Sequence, residues 1–300
     1  MNLSPGISPQ LGYHRVLRPG RWLPARAVGW MATLIFAIVL AFGPGMEALS
    51  HALPDQPMPQ FMAHAAGACI VLASYLLLVR LGEARAPVEL DLRAAPAGLL
   101  AGIVLGLALF SLVMLLLVLS GAYHVDYSGA ASAWQGAGLA LESGVFEEVL
   151  VRGVILRVAW RAFGPWVAFI VSALLFGAGH AANPGATVFT VACVAIEAGV
   201  MLGAFYALTG RLWLSIGVHA GWNFTQGYLF GANVSGSNFG KALARSVAEP
   251  RLPDWLTGGA FGPEASLPCL VVCVAVGAVV LWLALRAGRF AATTRSPPVG

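Results

Sequence analysis

Charge is scarce in this sequence. Asp, Glu, Lys and Arg together make up 10% of the 300 residues, while hydrophobic residues make up 59%; a soluble domain carries about 25% charged residues. That shortage excludes a large soluble core, because it falls in blocks of about 20 uncharged apolar residues, each long enough to cross a bilayer as a helix. Lysine is almost absent: of 17 basic residues only Lys241 is not an arginine, and the net charge of +4 is no nucleic-acid signature. Cysteine is limited to Cys69, Cys193, Cys269 and Cys273, with no Cys-x-x-Cys pair. All four lie in apolar stretches and read as buried thiols rather than as a thiolate metal site. There is no internal repeat, and no stretch reads as a second, soluble domain. A cleavable signal pattern is also missing: Arg15, Arg18, Arg21 and Arg26 and several prolines precede the first apolar run, a longer charged lead than a signal peptide has.

The apolar blocks give the fold class, an all-α polytopic membrane bundle of about eight transmembrane helices. The spans are expected near 27–49, 61–79, 97–120, 137–157, 166–180, 187–208, 212–230 and 267–285. The first is expected to end or kink at Gly43-Pro44-Gly45. The arginines alternate between connections. They occur in the N-terminal segment, at Arg80, Arg85 and Arg93, at Arg157 and Arg161, at Arg211, and in the C-terminal Arg286, Arg289 and Arg295. The intervening connections lack them, except 231–266, which has Lys241, Arg245 and Arg251 alongside three acidic residues. The positive-inside rule then places both termini in the cytoplasm of a cell with this chain in its inner membrane. The expected organisation is a cytoplasmic segment at 1–26, accessory helices at 27–136, a core at 137–228, an external loop at 229–266, and a last helix with its cytoplasmic tail at 267–300. The external loop reads either as a cap or as a disordered connector.

Ionisable groups inside a span are costly and mark function by default. They concentrate in the second half: Glu142, Glu147, Glu148 and Arg152, then His180, Glu197, His219 and Asn223. In the first three spans the chief ones are Glu47 and His64, near predicted ends. Glu148 and Arg152 are four apart, share a helix face and can pair. Glu147 is rotated by about 100° from Glu148, which leaves it free for the bundle interior, where a carboxylate suits general-base work. The bland alternative is that both glutamates lock helices together. His219 and Asn223 also share a face, and two donors aimed into a dry cavity can stabilise an oxyanion; interhelical hydrogen bonding would use them equally well. Measured along the spans, Glu147, His219 and Asn223 lie about 10–16 Å deep and His180 about 21 Å, so convergence requires the fifth helix to tilt or start late.

These residues also form a pattern. EEVLVR at Glu147–Arg152, FGAGH at Phe176–His180 and HAGWN at His219–Asn223 fit Glu-Glu-x-x-x-Arg, Phe-x-x-x-His and His-x-x-x-Asn in order on three helices. With Gly199–Asn223 they resemble the CAAX-protease and bacteriocin-processing (CPBP) family, which includes the type II CAAX prenyl endopeptidases. The resemblance covers roughly 137–228. Val151 departs from it, since many relatives carry an aromatic there. It implies an intramembrane endopeptidase of the metalloprotease-named class, acting on a peptide or membrane-protein substrate in the lipid bilayer. Glu147 and His180 would activate a water, Glu148 and Arg152 would orient Glu147, and His219 and Asn223 would hold the oxyanion. No His-Glu-x-x-His is present, yet Glu147, His180 and His219 are a ligand set that can hold zinc with an open position. Metal-dependent and metal-free water activation therefore both stay open. Two readings compete: a non-catalytic scaffold or bacteriocin-immunity protein, and a transporter using these groups as a proton relay. The full motif set weighs against the first, and the lack of an inverted repeat of broken helices against the second.

Overall fold

The computed structural model describes residues 9–129 and 132–290. The first eight residues of the N-terminal segment, positions 130–131, and the tail from 291 with Arg295 lie outside the described residues. All eight expected spans fall on helices. These are α1 (Leu23–Ala52), α2 (Pro57–Glu83), α3 (Ala95–Leu119), a rod of α4 (Ala133–Glu148) and α5 (Arg157–Phe163), α6 (Pro165–Gly179), α7 (Val188–Val194) with α8 (Met201–Thr209), α9 (Leu212–Phe224), and α11 (Leu267–Arg286). The short α10 (Asp254–Thr257) precedes the last of these. Among the described residues five helices, Leu23–Ala52, Pro57–Glu83, Ala95–Leu119, Val188–Thr209 and Leu267–Arg286, are long and apolar enough to cross a membrane. α6 is apolar but shorter. The chain is a multi-pass helical membrane protein.

Proline in the first turn starts α1, α2, α3, α6 and α11, where its missing N–H costs no hydrogen bond. Pro44, by contrast, neither ends nor splits α1, contrary to the expectation; in a membrane helix neighbouring groups can satisfy the carbonyl that proline frees. Gly164 (φ 86°) and Gly210 (φ 64°) make the abrupt stops after α5 and α8, a backbone region that side chains disfavour.

α9 is the axis of the bundle, buried at almost every position from Leu212 to Asn223. α3 lies against it through glycine on both sides. A Cβ on Gly102 would sit 2.5 Å from the Leu214 carbonyl oxygen, and one on Gly106 2.2 Å from that of Val218. Gly217 and Gly221 on α9 meet the Leu99 and Ile103 carbonyls equally closely. Lipid gives helices little hydrophobic reason to associate, so close backbone approach along a small-x-x-x-small stripe supplies the van der Waals contact instead. Phe36, Leu100, Leu174 and Val271 face outward, as lipid-facing residues should.

The two ends of the bundle differ. At one end β1 (Tyr123–Tyr127) pairs antiparallel with β2 (Ala244–Ala248), a small sheet the all-helical reading did not include. The 181–187 turn joins this end through Asn183 Nδ2, which donates to the Ser235 carbonyl at 2.9 Å. The loop at 231–266 is thus an ordered cap. The arginine-bearing connections meet at the other end. There Arg161 donates to the Gly12 carbonyl at 2.8 Å, and Arg211 pairs with Asp91 at 3.3 Å.

Two of the connection arginines, Arg157 and Arg85, belong to a buried network. Arg157 is fully buried and grips both carboxylate oxygens of Glu83 at 2.6 and 2.8 Å, with further bonds to the Gly153 and Leu11 carbonyls. Arg85 bridges Glu83 and Glu89 at 2.7 Å each, and Tyr75 donates to Glu89. With Trp30, whose Nε1 donates to Glu83 at 2.9 Å, this network ties α1, α2, the α2–α3 connection and α5 together. Breaking one such buried pair leaves an uncompensated charge, at a cost of about 3–5 kcal/mol.

Candidate active site

Three wide-wound π segments interrupt the second-half helices: Val149–Leu156 between α4 and α5, Ala195–Val200 between α7 and α8, and Thr225–Leu229 after α9. Such segments are frequent at functional sites because the extra residue per turn re-aims side chains and frees carbonyls. Here they flank the residues singled out by the sequence. Glu147 and Glu148 end α4, Arg152 lies in the first π segment, and Asn223 lies just before the third.

Glu148 and Arg152 are both fully buried and paired, Nη1 to Oε1 at 2.7 Å. The other arm of Arg152 donates to the Ala198 carbonyl in the second π segment, and its guanidinium lies 4.9 Å from the centre of the Phe176 ring. Glu148 Oε1 also accepts from His219 Nδ1 at 3.0 Å. His180 closes α6 and donates Nδ1–H to the Phe176 carbonyl at 2.9 Å. In both histidines Nδ1 is engaged by this hydrogen bond, which leaves Nε2 to face the site. Both Nε2 atoms face the same atom, Glu147 Oε2, at 3.8 Å each. That oxygen is itself buried and has no hydrogen-bond partner. A separation of 3.8 Å is too long for a direct hydrogen bond.

The structure therefore brings Glu147, His180 and His219 together and puts Glu148 and Arg152 on the other side of the pair. Asn223 lines the same cavity as His180 and His219, with one amide N–H given to Ser143 Oγ at 3.0 Å. The cavity holds ≈ 50 Å³ and is walled also by Glu197, Glu264, Ser235 and Cys273. A larger cleft of ≈ 560 Å³ at the β1–β2 end is lined by Asn233, Asn238, Lys241 and Arg245 and holds no paired carboxylate and imidazole, so side-chain chemistry, not size, locates the site. Sequence reasoning missed Glu264, which lies in the loop cap, where no helical period points inward. Its Oε1 accepts from Ser235 N–H at 2.8 Å and Oγ at 2.7 Å. Burial pushes the Glu264 carboxyl up, opposed in part by the Ser235 hydrogen bonds and the charge of His180. Glu197, an intramembrane charge in the sequence, lines this cavity. His64, read as lying near a span end, pairs with Glu142 at 2.8 Å.

The structure adds a second candidate metal group. Among the described residues the group whose three ligand atoms lie mutually within 4.8 Å is Glu197, Cys269 and Cys273. This buried group could hold a metal, although no thiolate site was expected. Glu147, His180 and His219 are not such a group as they stand.

The multi-pass helical bundle thus sets one carboxylate against two imidazoles beside an internal cavity. Residues 129–225 match the family model described as type II CAAX prenyl endopeptidase Rce1-like. This segment, running from before α4 through α9, contains every residue of the three motifs and is consistent with the CPBP family. No curated protein and no solved structure matches the chain.

Proposed function

We propose that this chain is an intramembrane endopeptidase that hydrolyses a peptide bond of a membrane-associated, prenylated-type substrate, with 137–228 as its hydrolytic core. The observation that carries the reading is the unpartnered Glu147 Oε2 set between two imidazole Nε2 atoms at 3.8 Å. A water between Glu147 and His180 gives one proton to the carboxylate, and its oxygen attacks the scissile carbonyl carbon. His219, with the Glu148 carboxylate as counter-charge, and the remaining Asn223 N–H donate to the oxyanion that forms. When the C–N bond breaks, Glu147 returns the proton to the leaving amine and the products are a carboxylate and an amine. Glu148 and Arg152 position the pair without touching substrate.

Zinc would have to be held by Glu147, His180 and His219. Tetrahedral bonds of about 2.0–2.2 Å would bring the ligand atoms within about 3.5 Å of one another, and Glu147, His180 and His219 are not a group whose ligand atoms all lie within 4.8 Å of one another. No step is therefore routed through a metal. The arginine alternation supports both termini on the cytoplasmic side of the inner membrane.

The test is cleavage of farnesylated peptides ending in a CAAX-type tripeptide by the purified protein in proteoliposomes, read by mass spectrometry. Cleavage is expected with wild type, to be lost in Glu147→Gln, and to persist in phenanthroline. Undiminished cleavage by Glu147→Gln removes the proposal. Loss with phenanthroline and recovery on adding zinc restores a metal mechanism.

A further inference from the structure

Glu197, Cys269 and Cys273 lie outside the hydrolytic set. Glu197 comes from the π segment Ala195–Val200, and the two cysteines are four apart on one face of α11. Cys269 Sγ donates to Glu197 Oε2 at 3.5 Å, and the two sulfurs are 4.0 Å apart. The other carboxylate oxygen, Glu197 Oε1, is buried and has no hydrogen-bond partner. All three residues are buried.

We propose that these three residues form a binding site for a soft divalent cation such as zinc or cadmium, clamping α11 to the α7–α8 helix on the wall of the internal cavity. The spacing fits. Bonds of about 2.3 Å to sulfur and 2.1 Å to a carboxylate oxygen, arranged tetrahedrally, separate two sulfurs by about 3.8 Å and sulfur from oxygen by about 3.6 Å. The observed 4.0 and 3.5 Å need shifts of a few tenths of an ångström. The donor chemistry fits as well. Thiolates select zinc, cadmium or copper(I) over magnesium and calcium, which prefer all-oxygen shells. Among the described residues no Arg or Lys forms an ion pair with Glu197, and buried charges otherwise require a partner or a metal. Binding displaces the two thiol protons, and the cation offsets the negative charge left behind. The helix end is held for the purpose: Ser266 Oγ caps α11 by accepting from Cys269 N–H. The fourth position opens to the cavity, since Glu197 and Cys273 both line it, so the ion can exchange.

The test adds cadmium chloride to the reduced, full-length protein in detergent. A near-ultraviolet thiolate-to-cadmium charge-transfer band is expected to saturate at one ion per chain. The Cys269→Ser/Cys273→Ser double variant should lose it, and Glu197→Gln should weaken binding at least tenfold. Cys193→Ala should keep it. So should Glu147→Gln, which separates this site from the hydrolytic one. No band in wild type, or an undiminished band in the double variant, overturns the proposal. If the double variant does not fold, X-ray absorption on cadmium-loaded wild type decides: two sulfur neighbours support the site, and a shell of only oxygen and nitrogen overturns it.

Discussion

Glu147 and Glu148 are adjacent and chemically identical, yet replacing each by glutamine should have opposite consequences. Glu148 is fully buried, and its Oε1 accepts from both Arg152 Nη1 at 2.7 Å and His219 Nδ1 at 3.0 Å. In Glu148→Gln the amide oxygen still accepts a hydrogen bond, but Arg152 stays fully buried and loses its directly bonded carboxylate, keeping only neutral carbonyls as its other hydrogen-bond partners. Leaving such a charge uncompensated costs about 3–5 kcal/mol. At roughly 2–4 °C per kcal/mol for a chain of this order of size, the unfolding midpoint should fall by on the order of 10 °C. Glu147 Oε2 has no hydrogen bond to lose, and the side chain is 27% exposed. Glu147→Gln should stay within about 0.5 kcal/mol of wild type. The assay is thermal unfolding in one detergent at neutral pH, followed by fluorescence-detected size exclusion. A second substitution, Glu148→Gln with Arg152→Met, should recover part of the loss, because it removes the orphaned charge. Equal midpoints for the two single variants, or a less stable Glu147→Gln, would refute the division of roles.

Gly102→Val should separate α3 from α9, since its Cβ would meet the Leu214 carbonyl at 2.5 Å and the Gly217 Cα at 2.8 Å; overpacking of this kind costs about 1–3 kcal/mol. Its midpoint should drop, and any cleavage should fall with it because α9 carries His219; an unchanged midpoint would contradict the glycine contact. Acidification should act through Glu89, outside the spanning helices. Burial pushes its carboxyl up, but hydrogen bonds and charge from Arg85, with Arg157 and Tyr75, hold it below the usual carboxylate range. A lowered folded value means its contribution is complete above the unfolded value of about 4.3 and is lost as pH falls through the folded one. The midpoint should therefore hold from pH 7 to 5 and fall below about pH 4, and Glu89→Gln should flatten that fall; an identical profile for the variant would be inconsistent with it. Reporter fusions at Asp55, Tyr127 and Ala186 should report the external side, and a cytoplasmic signal at Tyr127 would break the proposed orientation.

What the sequence by itself determined follows from short-range physics. Backbone groups in lipid must be satisfied within their own segment, so uncharged blocks such as 97–120 could only be helices, and α3 occupies that stretch. The 3.6-residue repeat placed Arg152 beside Glu148 and turned Glu147 away, and the structure has this arrangement. The motif spacing put His180 and His219 on separate helices, but nothing local could show that both Nε2 atoms would stop 3.8 Å from one carboxylate oxygen. That depends on how α4, α6 and α9 are phased against one another, which the π segments and the α3–α9 glycine contact set. The remaining features were decided by tertiary structure alone. Arg157 reads as a loop arginine until Glu83, 74 positions away, folds over it. Cys269 and Cys273 read as inert thiols until Glu197, 72 positions from Cys269, comes to face them. Glu264 belongs to a loop until the cap closes. In each case a buried polar group must find a partner because the low-dielectric interior penalises leaving it alone. The chain states that need residue by residue, but only the packed helices decide which distant group meets it.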